Sequence, residues 1–164
     1  MNLVSLDELN AIDAESIYDQ LILGGGPAAL TSAIYSARKM IRVALISLDF
    51  GGQVNDTSEI ENYTGFQTVT GHELAEKFAE HVRHFNIPVS LGDKITNVDK
   101  NGALFEVRME SGKMFRAKTV IYATGKRKKQ LNVPGEREFL GRGVSYCSIC
   151  DAPFFKNRKV VVVG

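Results

Sequence analysis

The chain has 164 residues, with 20 Lys+Arg against 19 Asp+Glu, 44% hydrophobic residues and 24% charged ones. This composition supports a packed core and excludes wholesale disorder, and the length accommodates one domain or one domain and part of another. A net charge of +1 gives no general attraction for nucleic acid or an anionic membrane, no apolar run is long enough for a bilayer helix, and no basic residue precedes an apolar core at the N-terminus as a secretory signal requires. The expectation is a cytoplasmic chain with neither a nucleic-acid nor a membrane partner.

In chain order, residues 1–17 are acidic and without basic residues. Leu6, Leu9 and Ile12 fall at helical spacing and predict a short helix; the alternative is a frayed terminus. Tyr18–Leu23 ends in an apolar run and predicts a strand. Gly24-Gly25-Gly26-Pro27-Ala28-Ala29 follows, then Leu30–Lys39 with helical spacing of Leu30, Ala33, Ile34 and Ala37, then a second buried-type strand over Arg42–Ser47. Strand, glycine turn, helix and strand make the first unit of a doubly wound α/β sheet. Gly51-Gly52-Gln53 opens a loop to about Gly71, long enough to suggest a functional segment. Glu73–Phe85 predicts an amphipathic helix with Leu74, Phe78, Val82 and Phe85 on one face, ended before Pro88.

From Ile95 the hydrophobic period becomes two. Ile95–Lys100, Ala103–Met109 and Lys113–Ala117 predict an antiparallel meander, its first hairpin marked by Asn101-Gly102. Thr119–Ala123 predicts a buried strand running into Thr124-Gly125. A basic connector, Lys126–Gly143, contains the run Lys126-Arg127-Lys128-Lys129 and the turn Pro134-Gly135; Lys159–Val163 predicts a last buried strand.

Two motifs carry chemistry. Gly24-x-Gly26-x-x-Ala29 sits between a strand and a helix, where a dinucleotide fingerprint belongs. Its first glycine makes the tight turn, its second admits a pyrophosphate to the backbone, and a small third residue lets helix and strand pack closely. The acid expected to hold a ribose at the end of the second strand is absent: Ser47 stands there, and the nearest acid, Asp49, is not assigned that role. The second motif is Cys147-Ser148-Ile149-Cys150, which contains both cysteines of the chain and is followed at once by Asp151. Cysteines this close do not staple a fold, and zinc would need about four ligands, so no metal is expected. A redox dithiol with an adjacent carboxyl as general acid or base is the reading the residues favour.

These motifs stand in a characteristic order: Gly24–Ala29, Gly51-Gly52-Gln53, Glu61-Asn62-Tyr63, Ala123-Thr124-Gly125, Val133-Pro134-Gly135-Glu136, Gly143–Asp151 and Lys159–Gly164. In this order, over residues 18–164, the sequence resembles the low-molecular-weight thioredoxin reductases and the related flavoprotein component of bacterial alkyl hydroperoxide reductase. The resemblance implies a Rossmann-like, three-layer FAD-binding fold with an antiparallel meander, followed by the start of a second Rossmann-like domain. Residues 1–17 would be an N-terminal extension, 18–125 the N-terminal part of the FAD-binding domain, and 126–164 a connector with the redox motif and an incomplete NAD(P)H-binding domain.

By the same resemblance, electrons pass from NADPH or NADH to FAD, then to Cys147 and Cys150, then to the disulfide of thioredoxin or a similar small dithiol protein, in a homodimeric enzyme. Gly24, Gly26, Pro27 and Ala28 would lie along the FAD pyrophosphate, Gly52, Gln53 and Asn62 near the flavin and its chain, and Thr124 and Gly125 over the cofactor. Cys150 would face the flavin, Cys147 would attack the partner's disulfide, and Asp151 would move the proton. Two departures stand out: Ala29 replaces the family's third glycine, and Ala152-Pro153 follows the Cys pair where thioredoxin reductases carry Gly and an aromatic residue. The resemblance therefore leaves open a peroxiredoxin-linked or ferredoxin-linked reductase, or a non-enzymatic FAD or redox-sensing module. It also implies that a stop at Gly164 leaves a portion that is inactive by itself.

Overall fold

A computed structural model describes residues 10–126 and 129–163, with backbone alone for Ile149 and Cys150. The chain divides into two compact units, Met1–Gly125 and Lys126–Gly164. The helix expected from Leu6 and Leu9, the basic residues Arg127 and Lys128, and Gly164 lie outside the described residues.

The first unit contains strands β1 (Ile17–Leu23), β2 (Val43–Ser47), β3 (Val89–Leu91), β4 (Ile95–Asn101), β5 (Leu104–Met109) and β6 (Met114–Tyr122), with helices α1 (Pro27–Arg38) and α2 (Gly71–His84). They form one mixed sheet in the order β3-β2-β1-β6-β5-β4. The β3, β2, β1 and β6 neighbours pair in parallel, whereas β5 pairs antiparallel with both β6 and β4. All five residues of β2 are buried; four of them, Val43–Ile46, are apolar, as suits a parallel strand covered on both faces. One face packs Ile22, Val43 and Leu45 against Ala29, Leu30 and Ala33 of α1 and Val82 of α2. On the other face Leu21, Leu23, Ala44 and Ile46 meet Val107, Met109 and Phe115 of the meander. This is the α/β, Rossmann-type arrangement expected from the sequence.

Helix starts follow their caps. α1 begins at Pro27, not Leu30, because proline suits the first helical position, where its missing N–H costs nothing. α2 begins under a capping box: Thr70 Oγ1 accepts the Glu73 N–H at 3.2 Å, and the Glu73 carboxylate accepts the Thr70 N–H at 3.1 Å. The backbone and hydroxyl of Thr70 together hold the Glu73 carboxyl below its ordinary value. A depressed carboxylate contributes stability above the ordinary glutamate range and loses it as pH falls through the folded-state value. Thr70→Ala should cost about 1 kcal/mol, and thermal melts should show the gap from wild type narrowing as pH drops below that range.

Three expectations are corrected. Lys113–Ala117 and Thr119–Ala123 are not two strands but the single strand β6. Residues 114–117 pair with β5 in the meander and residues 116–122 with β1, so the neighbours change along the strand while the backbone continues. The exposed Lys118 between them reaches the Asp19 carboxylate at 2.6 Å. Second, Ile12 is not helical. Ala11 bridges to Val89 in parallel, Val89 N–H donates to the Asn10 carbonyl at 2.8 Å, and Ile12 and Ala14 pack on the core. This segment is pinned to the β3 edge of the sheet, which gives its apolar residues a place to bury.

The third correction concerns the second unit. Lys159–Val163 forms no strand; Val161 is 90% exposed and its valine neighbours are also exposed. A strand needs a hydrogen-bonding neighbour, and among the described residues none pairs with this run. The unit is instead built from turns, a helical turn α3 (Ser148–Asp151) and a 3-10 turn over Ala152–Phe155. Its anchor is Glu136, buried at 6% exposure. The Glu136 carboxylate accepts the backbone N–H groups of Leu131 at 2.9 Å, Asn132 at 2.6 Å and Val133 at 3.3 Å. Glu136→Ala would strand three donors; a loss of about 1–3 kcal/mol in local stability is expected, read as lost amide protection at residues 131–133 in hydrogen exchange.

Candidate functional site

The parallel strands bring separate parts of the sequence to one edge. β2, β1 and β6 are neighbours, so their carboxyl ends place residues 47–53, 24–29 and 123–125 side by side. β1 is also where the order reverses, since the chain moves to β2 on one side and returns as β6 on the other. Ligands of open α/β sheets bind at this kind of switch point.

Each glycine of the first turn has its own reason. Gly24 has φ 125°, and a Cβ there would stand 2.2 Å from the Ala123 carbonyl oxygen. A Cβ on Gly25 would stand 1.8 Å from the Asp49 carbonyl oxygen. Both are glycines because neighbouring backbone fills the space. Gly26 differs: its φ of −82° is ordinary, and a Cβ would meet nothing nearer than the Gly51 carbonyl oxygen at 3.9 Å. The fold makes no demand for glycine there, so the open space above it is available to an approaching group.

Gly26 is also the N-cap of α1. It offers no side-chain cap, and the first turn holds no acid. Neither a side-chain cap nor a first-turn acid therefore neutralises the orphan N–H groups and the positive end of this 12-residue helix, and such an end receives a phosphate favourably. Ala29, the third fingerprint position, is fully buried against the sheet, where a small side chain is needed.

The second turn packs on the first. Gly51 N–H donates to the Gly25 carbonyl at 2.7 Å, and a Cβ on Gly52 would lie 3.6 Å from the Gly26 Cα. Asp49, passed over as a ribose ligand, organises this turn: its carboxylate accepts the Gly52 N–H at 2.9 Å, and its carbonyl accepts the Ser47 hydroxyl at 2.8 Å. Gln53 follows on the exposed side of a 3-10 turn, Gly52–Asp56. Gly71, which sequence reasoning missed, lets this turn sit on α2: a Cβ there would be 1.9 Å from the Val54 carbonyl oxygen. An acid just ahead of Gly51-Gly52 was the available signal for Asp49; Gly71 was marked in the sequence only as the end of the loop, with nothing to show its packing role.

On the third segment, Ala123 N–H donates to the Leu23 carbonyl at 2.9 Å, which seats Thr124 and Gly125 (φ 72°) beside Gly24. The structure thus brings together Gly24, Gly26, Pro27, Ala28, Gly52, Gln53, Thr124 and Gly125. Asn62 is not joined to them by any hydrogen bond among the described residues; it is exposed in a loop closed by the Ile60–Val69 bridge and steadied by the Tyr63 and Phe78 rings, 5.6 Å apart. That long loop is therefore ordered rather than structureless.

In the second unit Cys147 is held in a disulfide. Its carbonyl accepts the Asp151 N–H at 3.0 Å, the opening bond of α3. That turn brings the backbone of Cys147, Cys150 and Asp151 into one helical winding; the Cys150 side chain lies outside the described residues.

These features place the chain in the α/β class, with a glycine cradle at a Rossmann-type switch point in the first unit and the disulfide-bonded Cys147 in the second. Comparison with known proteins agrees. Residues 18–164 match the model of the pyridine nucleotide-disulphide oxidoreductases, and the chain belongs to that family. It is 44% identical to the F subunit of alkyl hydroperoxide reductase in Pseudomonas aeruginosa over 161 residues, 96% of this chain and 30% of that protein. The solved thioredoxin reductase of Streptococcus pyogenes is 43% identical with a TM-score of 0.72, over 85% of this chain and 45% of that one. A ferredoxin-flavin thioredoxin reductase from Clostridium acetobutylicum is 36% identical with a TM-score of 0.65, over 85% and 48%. The chain thus spans under half the length of each relative. Among the described residues no helix is long and apolar enough to cross a membrane.

Proposed function

We propose that this chain is the flavin-binding and redox-dithiol portion of an FAD-dependent disulfide reductase, which takes electrons from NADPH or NADH and delivers them to a protein disulfide. The observation that carries this reading is Gly26: an open, uncapped helix start whose glycine the fold itself does not explain. Gly24, Gly26, Pro27 and Ala28 would hold the FAD pyrophosphate, with Gly52, Gln53 and Asn62 toward the rest of the cofactor and Thr124 and Gly125 beside it. Bound FAD supplies the conversion of two-electron hydride chemistry into dithiol reduction.

The protein's own residues do the remaining work. The glycine backbone and the start of α1 bind the phosphates. Cys147 attacks the partner's disulfide, Cys150 closes on Cys147 to release the reduced partner, and Asp151 holds the proton that the thiols exchange. The partner in this reading is thioredoxin or a similar small dithiol protein, and the working form is a cytoplasmic homodimer. Residues 18–125 are read as the FAD-binding portion and 126–164 as the start of the nicotinamide-binding part.

One observation favours a peroxiredoxin-system partner. The alignment with the alkyl hydroperoxide reductase relative takes in 96% of the chain and so extends ahead of Tyr18, where the family model begins. The segment at residues 10–14 that pins to the sheet edge is thus shared with that relative. The test is NADH- and NADPH-driven reduction of an artificial aromatic disulfide by the protein that carries this chain, with thioredoxin and a peroxiredoxin offered in turn. Turnover that needs flavin and both cysteines is expected; flavin-free turnover, or none with either nucleotide, would count against the reading.

A further inference from the structure

We infer that Ser145 is a positioning residue for the redox dithiol, tuning how readily the Cys147–Cys150 disulfide closes; this rests on the reading of that pair as a working couple. The Ser145 hydroxyl accepts the Cys147 N–H at 3.0 Å and lies 3.3 Å from the Cys147 carbonyl, to which it donates. The same carbonyl accepts the Asp151 N–H at 3.0 Å. Both backbone polar groups of Cys147 are therefore held, one by a side chain two residues upstream. Ser145 is itself exposed, so core packing does not account for it.

The consequence is conformational. Reduction breaks the S–S bond and forms two S–H bonds, taking two electrons and two protons from an external dithiol that becomes a disulfide. The covalent tie across the turn is then gone. The Ser145 brace is not covalent and stays, keeping Cys147 at the head of the turn, so the two thiols remain placed for closure. Pre-placed groups close faster and more completely than free ones. Removing the brace lets the reduced turn spread over more conformations and favours the dithiol.

The experiment is redox titration of this chain with dithiothreitol, scored by thiol alkylation, for wild type, Ser145→Ala and Ser145→Thr, with melting temperature as a folding control. One hydrogen bond implies a roughly three- to tenfold easier reduction of Ser145→Ala, a potential about 15–30 mV more positive, at unchanged melting temperature. Ser145→Thr should lie within about twofold of wild type by keeping the hydroxyl. In reduced wild type the Cys147 amide should stay protected from hydrogen exchange. An unchanged constant in Ser145→Ala, a shift toward the disulfide, or an unprotected Cys147 amide would overturn the brace while leaving the relay intact. A wild-type pair with no reversible couple would overturn the relay and the brace with it.

Discussion

Gly25→Ala should cost the first unit its fold, while Gly26→Ala, one residue on, should leave it intact and weaken nucleotide binding. At Gly25 the new Cβ would fall 1.8 Å from the Asp49 carbonyl oxygen, a backbone atom at the end of β2 that cannot step aside as a side chain would. Relief requires parting the glycine turn from the β2 end, which also breaks the Gly51 to Gly25 hydrogen bond. A loss of about 3 kcal/mol or more is expected, the range reserved for backbone strain and broken core geometry. At Gly26 the Cβ would meet nothing nearer than the Gly51 carbonyl oxygen at 3.9 Å, an ordinary contact, and φ is unstrained. The melting temperature should hold there, and only a ligand pressed against that backbone would feel the methyl. Circular dichroism melts of the two variants read the contrast directly; equal melting temperatures would refute the assigned roles.

Cys147→Ser should abolish disulfide-reductase turnover in the protein that carries this chain. A serine hydroxyl is not ionised near neutral pH and forms no mixed disulfide, so no bond to the partner can form. Loss of a nucleophile commonly costs three orders of magnitude or more. The expected signature is dissociation of effects: flavin absorbance and its reduction by nicotinamide persist, while transfer to an artificial disulfide falls to background. Residual transfer above about one per cent of wild type would place the exchanging sulfur elsewhere.

The β1-α1-β2 unit was legible in the sequence because two buried strands and a glycine turn leave a strong local pattern. β6 read as two strands because Lys118 interrupts the apolar run; the strand continues because its pairings with β5 and β1 overlap at Arg116 and Ala117, which no local pattern records. β3 is three residues long and leaves too short a trace after Pro88. Lys159–Val163 misleads in the opposite sense: the run has the composition of a buried strand, but strands are made by partners. Within the site, the glycines were readable as a set but not one by one. That Gly24 and Gly25 serve the fold while Gly26 is left open depends on Ala123 and Asp49, far away in the chain. Glu136 stood out only as part of a motif, and its grip on three backbone amides became visible only with the loop closed around it.

The open face at Gly26 carries the functional assignment, and FAD titration of folded wild type beside folded Gly26→Val tests it most directly. Saturable binding of one FAD per wild-type chain is predicted, by quenching of flavin fluorescence, with affinity at least about tenfold weaker in the variant. Equal affinity in the two, or no saturable binding by folded wild type, would contradict the assignment of this cradle to the flavin nucleotide.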